Sequence, residues 1–263
     1  EHADRAVPHH RARLGDQAGW IRVRNDANRH MLAVEHSPLL SPALPALHER
    51  LHHLFDLGAE PNAIAAHFAG DPLLGAGIAK RPGLRVPGAF DGFELATRAI
   101  LGQQITVKAA TTIAGRFAQA FGEAIDTPHA ELTHLAPVAS RVADASIAEI
   151  ASLGIIQSRA RTIIAVAQEM ASGHLVLEPG AEPAHVIVQL TALPGIGAWT
   201  AHYIAMRALR WADAFPKEDI ALRNALGRVS ASRAEELSQP WRPWRSYALL
   251  HLWAEAGEGE HPE

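Results

Sequence analysis

The chain has 263 residues, 24 Lys+Arg against 28 Asp+Glu for a net charge of −4, and no cysteine. The acidic balance argues against a protein that coats nucleic acid by bulk electrostatics, though not against a local grip built on backbone amides. The missing thiols exclude disulfides, thiolate-held zinc and any iron–sulfur cluster.

Nearly half the residues are apolar, so the chain can bury a substantial core in one large domain or two to three small ones. No apolar run is long enough for a membrane span and no signal-peptide pattern is present, so the expected setting is cytoplasmic, in a bacterial nucleoid. A chain that opens on Glu1 is expected to belong to a longer polypeptide. Sixteen histidines are scattered, and neither the pair His9-His10 nor His52-His53 has metal-ligand spacing beside a carboxylate set.

In chain order, residues 1–18 are polar, rich in His and Arg, and without periodicity, which predicts a mobile lead-in. Trp20 to Val23 and Met31 to Val34 read as strands around the turn residues Asn25 to Asn28. A helix is expected from about Pro42 to Leu57, with Leu44, Leu47, Leu51, Leu54 and Phe55 on its apolar face and Gly58 at its end. Arg81 to Gly88 is punctuated by Pro and Gly and reads as a linker. Asp91 and Glu94 have capping-box spacing for a helix that runs to Leu101 and breaks at Gly102-Gln103-Gln104. A second helix follows, with Val107, Ala110, Ile113, Phe117 and Phe121 at helical period and Gly122 closing it. Helices are expected at Ser146–Leu153 and Ser158–Met170, around a Gly154-Ile155-Ile156 turn, and at Ala184–Leu193.

There the chain reaches Leu193-Pro194-Gly195-Ile196-Gly197. Pro194 cannot continue a helix, and the two glycines allow backbone angles and close approaches that a side chain would block. The turn then directs unpaired backbone N–H groups outward at the start of the next helix, about Ala198 to Trp211, where the dipole favours an anion. An ordinary helix–turn–helix corner has the same residues, and the glycines alone do not separate the two. Trp199, Tyr203 and Met206 share one face of that helix, as a core stripe also would. Asp219 stands at the N-cap of a further helix, where most aspartates only cap. Trp241, Trp244, Tyr247 and Trp253 crowd the last apolar segment, a pattern most often found in cores.

Taken together, LPGIG, the AWTAHY continuation, the downstream Asp219, ILGQQ, RPGLRVPGAFDGFE and PWRSYALLHLW resemble the helix-hairpin-helix DNA glycosylases, in their 3-methyladenine-DNA glycosylase II branch. The likeness extends from about Leu32 to Trp253. It implies an α+β fold: a small N-terminal mixed α/β lobe over 1–66, whose opening strands look missing or degenerate and so incomplete, and two mainly α-helical lobes. One covers 92–211 with the hairpin. The other joins 67–91 to 212–263 and carries Asp219.

The resemblance also implies a monofunctional enzyme that turns an alkylated base out of double-stranded DNA and hydrolyses its glycosidic bond. Asp219 would be the catalytic carboxylate, with Trp199, Tyr203 and Trp253 lining the base pocket. Pro194, Gly195, Ile196 and Gly197 would bind the DNA backbone. Gln104 falls at the position that wedges into the vacated space, with Gln103 beside it, although the best-known members use an apolar wedge. Backbone carbonyls of Thr191, Leu193 and Ile196 match positions that chelate a monovalent cation, and no other cofactor is implied. Members that also cut the strand carry a lysine where this chain has Trp199. A monomer is expected. Two other readings remain: a non-catalytic helix-hairpin-helix DNA-binding module, and a glycosylase for oxidised or mismatched bases, which the absent cysteines and lysine weigh against.

Overall fold

The computed structural model describes residues 10–259. It opens with an antiparallel sheet of β1 (His10–Leu14), β2 (Gln17–Asp26) and β3 (Met31–His36) in the order β1-β2-β3. Gly15, at φ +59°, makes the two-residue turn between β1 and β2, a connection that favours positive φ. The lead-in expected through residue 18 is therefore a strand pair from His10 onward, and residues 1–9 lie outside the described residues. The reason lies in the alternation: Ala12 and Leu14 are buried, while Arg11 donates to the carbonyl of His134 at 2.8 Å and Arg13 pairs with Glu123. Five residues with two arginines on the outer face look like polar coil when read alone.

The single helix expected from Pro42 is a 3₁₀ stretch at Pro38–Ala43 followed by α1 (Leu44–Leu54). It gives way at Asp56, at φ +50°, before Gly58 is reached. Asp56 has tertiary reasons to be there: its carboxylate accepts from the Tyr247 hydroxyl at 2.6 Å and the Val86 N–H at 3.2 Å.

Helices α2 (Pro61–Phe68) and α3 (Gly75–Lys80) follow. Neither is foreseen, both being short. Ile64 and Phe68 of α2 and Ile78 of α3 bury with Met206, Phe215, Leu222, Trp241, Tyr247 and Leu252. A boundary at residue 66 thus falls inside a helix that packs in the core of the Asp219 lobe.

The hairpin lobe contains α4 (Gly92–Leu101), α5 (Val107–Phe121), α6 (Ala139–Ala143), α7 (Ile147–Ala151), α8 (Gln157–Ala171), α9 (Pro183–Ala192) and α10 (Ala198–Ala208). Asp91 caps α4 by accepting the Glu94 N–H at 2.6 Å. Glu94 does not reciprocate and binds Arg98 instead, so only half of the expected box forms. A complete capping box stands at Ser146 and Glu149.

The chain closes with α11 (Ile220–Ala225), α12 (Ala231–Leu237) and α13 (Arg245–Gly259). A small antiparallel sheet followed by mainly helical structure makes the fold α+β. Helix α10 is shared between lobes: Ala201, Ile204, Ala205 and Ala208 bury in the hairpin lobe, and Met206 buries in the other. One helix therefore forms a wall common to both, and the site lies along it.

Candidate active site

Asp219 precedes α11 with extended backbone, and its Oδ1 accepts the Leu222 N–H at 2.8 Å, an N-cap in the usual sense. It does more than cap. Oδ1 also accepts the Trp253 indole N–H at 3.1 Å, and Oδ2 accepts the Trp199 indole N–H at 2.8 Å. Three donors from α10, α11 and α13 thus converge on one largely buried carboxylate, and such charge-assisted bonds are the strong kind. Ile220, the next residue, is 73% exposed, so the carboxylate lies just beneath the surface.

Trp199 and Tyr203 stack in parallel, with centroids 5.2 Å apart and planes 8° from one another. A base sandwiched between two rings needs them about 7 Å apart, twice the ~3.4 Å stacking rise, so no base enters between these two. They form one double-thickness wall. Arg207 lies 5.5 Å from the Tyr203 ring centroid and donates to its hydroxyl at 3.1 Å. Of the three predicted pocket residues, the two tryptophans contact the carboxylate and Tyr203 backs Trp199.

The neighbouring acids stand apart from this arrangement. Asp213 is bound to Arg242 and Arg245. Glu218 is half-buried with Oε2 lacking a hydrogen-bond partner, and both indole N–H groups donate to Asp219 instead. His202, whose Nδ1 accepts the Phe215 N–H at 3.3 Å, is pushed below its ordinary pKa by burial, and so supports the Asp219 segment as a neutral acceptor.

The hairpin is built from turn chemistry. Gly195 has φ +91°, and a Cβ there would fall 2.2 Å from Thr162 Oγ1. That hydroxyl donates to the carbonyl of Pro194 at 2.8 Å, which fastens the turn to α8. Ile196 is buried and its N–H bonds the Leu193 carbonyl at 3.2 Å; it anchors the turn. Pro194, Gly195 and Gly197 form the exposed surface. Gly197 is the N-cap of α10 and no side chain caps that helix, which leaves its first N–H groups facing outward. The Leu193 carbonyl keeps a second lone pair beside the Ile196 bond, so the set Thr191, Leu193 and Ile196 remains compatible with a monovalent cation. Among the described residues no group of three or more His, Cys, Asp and Glu could hold a metal ion.

Gln103 turns toward the hairpin: its Nε2 donates to Gly195 O and to Thr200 Oγ1, both at 3.2 Å, while its main-chain carbonyl accepts from Arg159. Gln104 is exposed at φ +56°, a conformation uncommon outside glycine. The supporting Arg159, Thr162 and Thr200 escape sequence reasoning because their partners lie 32 to 97 residues away, with no local signal.

Two family models match the chain. The AlkA N-terminal domain covers residues 1–91, past the boundary expected at 66, and the model described as HhH-GPD superfamily base excision DNA repair protein covers residues 97–242. The chain belongs to the HhH-GPD superfamily. Among its relatives, DNA-3-methyladenine glycosylase 2 of Escherichia coli is 32% identical over 244 residues, 93% of this chain and 84% of that one. The probable bifunctional transcriptional activator/DNA repair enzyme AlkA of Mycobacterium tuberculosis is 43% identical over 217 residues, 81% of this chain. The match spans 42% of that relative's length. In structure, the 3-methyladenine DNA-glycosylase of Archaeoglobus fulgidus superposes with a TM-score of 0.81 at 20% identity, covering 97% of this chain and 88% of that one, a likeness of fold. The HhH-GPD match contains both the hairpin and Asp219, while Trp253 lies beyond it.

Proposed function

We propose that this chain is a monofunctional DNA glycosylase that extrudes alkylated bases such as 3-methyladenine and 7-methylguanine from duplex DNA and hydrolyses their N-glycosidic bond. The carrying observation is the Asp219 carboxylate, held between two indole N–H groups at the start of a helix. Membership of a base excision repair superfamily supports the same reading.

A base inside a duplex cannot be attacked in place, and turning it out costs about a few kcal/mol. The outward N–H groups of α10 hold the phosphate backbone, and Gln104 enters the vacated space. An N-alkylated purine is cationic, and a desolvated cation against an aromatic face gains about 2 kcal/mol. The indoles of Trp199 and Trp253 provide such faces. A cationic base leaves without a general acid, taking the electron pair of the glycosidic bond. Asp219 stabilises the positive charge that grows on the sugar, and accepts a proton from the water whose oxygen bonds the anomeric carbon.

No Schiff-base step is included. Trp199 is not a nucleophile, and Lys217, the lysine nearest Asp219 in sequence, lies 3.9 Å from Glu235. The enzyme acts as a monomer in the bacterial nucleoid, alone or within a longer polypeptide, with at most a monovalent cation at the hairpin as its non-protein part. Chromatography of bases released from methylated duplex DNA tests the reading. Release of 3-methyladenine or 7-methylguanine is expected. DNA binding without release would leave the non-catalytic module, and a borohydride-trapped adduct would overturn the monofunctional assignment.

A further inference from the structure

The segment from α10 to α11 has no regular secondary structure, yet it must hold Asp219 against two indoles. Its four consecutive carbonyls at Trp211, Ala212, Asp213 and Ala214 all accept from the first two residues of α13. The Ser246 hydroxyl lies 2.9 Å from Trp211 O and 3.0 Å from Ala214 O, so its one proton is shared between them. The Ser246 N–H donates to Ala212 O at 2.9 Å, and Arg245 Nη2 donates to Asp213 O at 3.0 Å. Arg245 also binds both Asp213 carboxylate oxygens, at 2.8 and 2.9 Å, and Glu235 at 2.9 Å. Its guanidinium lies 5.3 Å from the Phe215 ring centroid. Arg245 is 3% exposed and Ser246 0%.

The same helix grips the other end of the segment. Trp253, eight residues or about two turns further along α13, donates to Asp219 itself. One rigid element thus fixes the segment's main chain at its start and the carboxylate at its end. Loops ordinarily give their carbonyls to water; here three donor groups of α13 take that place for four carbonyls, and Trp211 O also accepts the Ala214 N–H at 3.2 Å.

We propose that Arg245 and Ser246 are positioning residues of the excision reaction: by clasping carbonyls 211–214 they set where Asp219 meets the sugar. The proposal rests on Asp219 being the catalytic carboxylate. An error of about 1 Å in a reacting group can lower a rate about 10²-fold. Removing part of the clasp therefore slows excision through Asp219 and leaves the DNA-gripping hairpin untouched.

The test is a double-mutant cycle under single-turnover conditions, reading release of 7-methylguanine from methylated duplex DNA. Affinity for a duplex with a tetrahydrofuran abasic analogue is measured in parallel. S246A is expected to release base about tenfold more slowly, with affinity unchanged within about twofold. In the D219N background S246A is expected to have no further effect, because a positioning residue acts through the group it positions. R245K, which keeps the charge but loses the planar fork, should repeat the pattern; if it fails to fold, S246A carries the test alone. S246A at the wild-type rate, or a double variant slowed by the product of the two single effects, overturns the proposal while the glycosylase reading stands. No base release by the wild-type protein overturns both.

Discussion

Two helices of this protein begin at the candidate site, and their first turns are handled in opposite ways. Helix α10 opens on Gly197, with no side chain over its N-terminus and an exposed glycine turn in front of it. Helix α11 opens on Asp219, whose own carboxylate fills the N-terminus and then collects two indole N–H bonds. Both use the positive end of a helix dipole. The open end is suited to an anion from outside, a phosphate, and so needs no basic side chain. The filled end holds an anion belonging to the protein, the one that the proposed reaction sets against the charge growing on the sugar. A chain with a net charge of −4 can therefore serve DNA, because the positive potential it needs is local and comes from the main chain.

The comparison breaks most severely at α11. Asparagine caps a helix as well as aspartate does, so D219N keeps the helix start; it removes the charge and replaces one acceptor oxygen by an NH2 that cannot accept an indole N–H. Excision is expected to fall by at least about 10²-fold, with binding to an abasic-analogue duplex retained. Base release near the wild-type rate would reduce Asp219 to an ordinary cap and make the two helix starts equivalent. Next in size is W253F, which keeps a ring while deleting one donor to Oδ1. A hydrogen bond to a charged group is worth about 1.5–3 kcal/mol, so single-turnover release should slow by about 10- to 100-fold. An unchanged rate would show that the α13 indole only packs.

At α10 the two glycines separate turn geometry from phosphate approach. In G195A the new methyl meets Thr162 at a φ that L-residues rarely adopt; strain of about 1–3 kcal/mol should lower the melting temperature. In G197A the methyl meets nothing within 4 Å and φ is −86°, so the melting temperature should hold. Affinity for duplex DNA, read by anisotropy, should still fall about fivefold if a phosphate docks against that end. Undiminished affinity in G197A would remove the phosphate from the comparison.

The two helix starts also differ in how far the sequence discloses them. The Pro194–Gly197 turn is legible because its requirement is local: a positive φ at Gly195 and a break at Pro194. Asp219 is legible as a cap for the same reason. Its indole partners are 20 and 34 residues away, and residue spacing alone placed Trp199 on a face without saying what the face meets. The inward turn of Gln103 and the clasp by Arg245 and Ser246 leave no periodic signal. The first strand is hidden for a different reason, its two outward arginines reading as polar coil, and α2 because eight residues are too few for helical period to rise above composition.

The smallest effect concerns acid, and it bears on how activity losses at either helix start are read. Burial lowers His53 and His251 from 6.5 to about 4, with Arg210 and Arg50 adding to the effect at His53 and Arg81 at His251. The folded protein keeps both rings neutral, whereas the unfolded chain protonates them below about pH 6.5. Unfolding therefore takes up protons between pH 6.5 and 4, and stability that is complete above 6.5 declines as the pH falls through that window. The melting temperature should drop by a few degrees between pH 7.5 and pH 5, and H251Q should flatten part of that slope. A slope identical in H251Q would mean that His251 does not contribute to it. With the melting curve measured at each pH, acid inactivation that follows it belongs to the fold, and only loss beyond it can be assigned to the chemistry at α11.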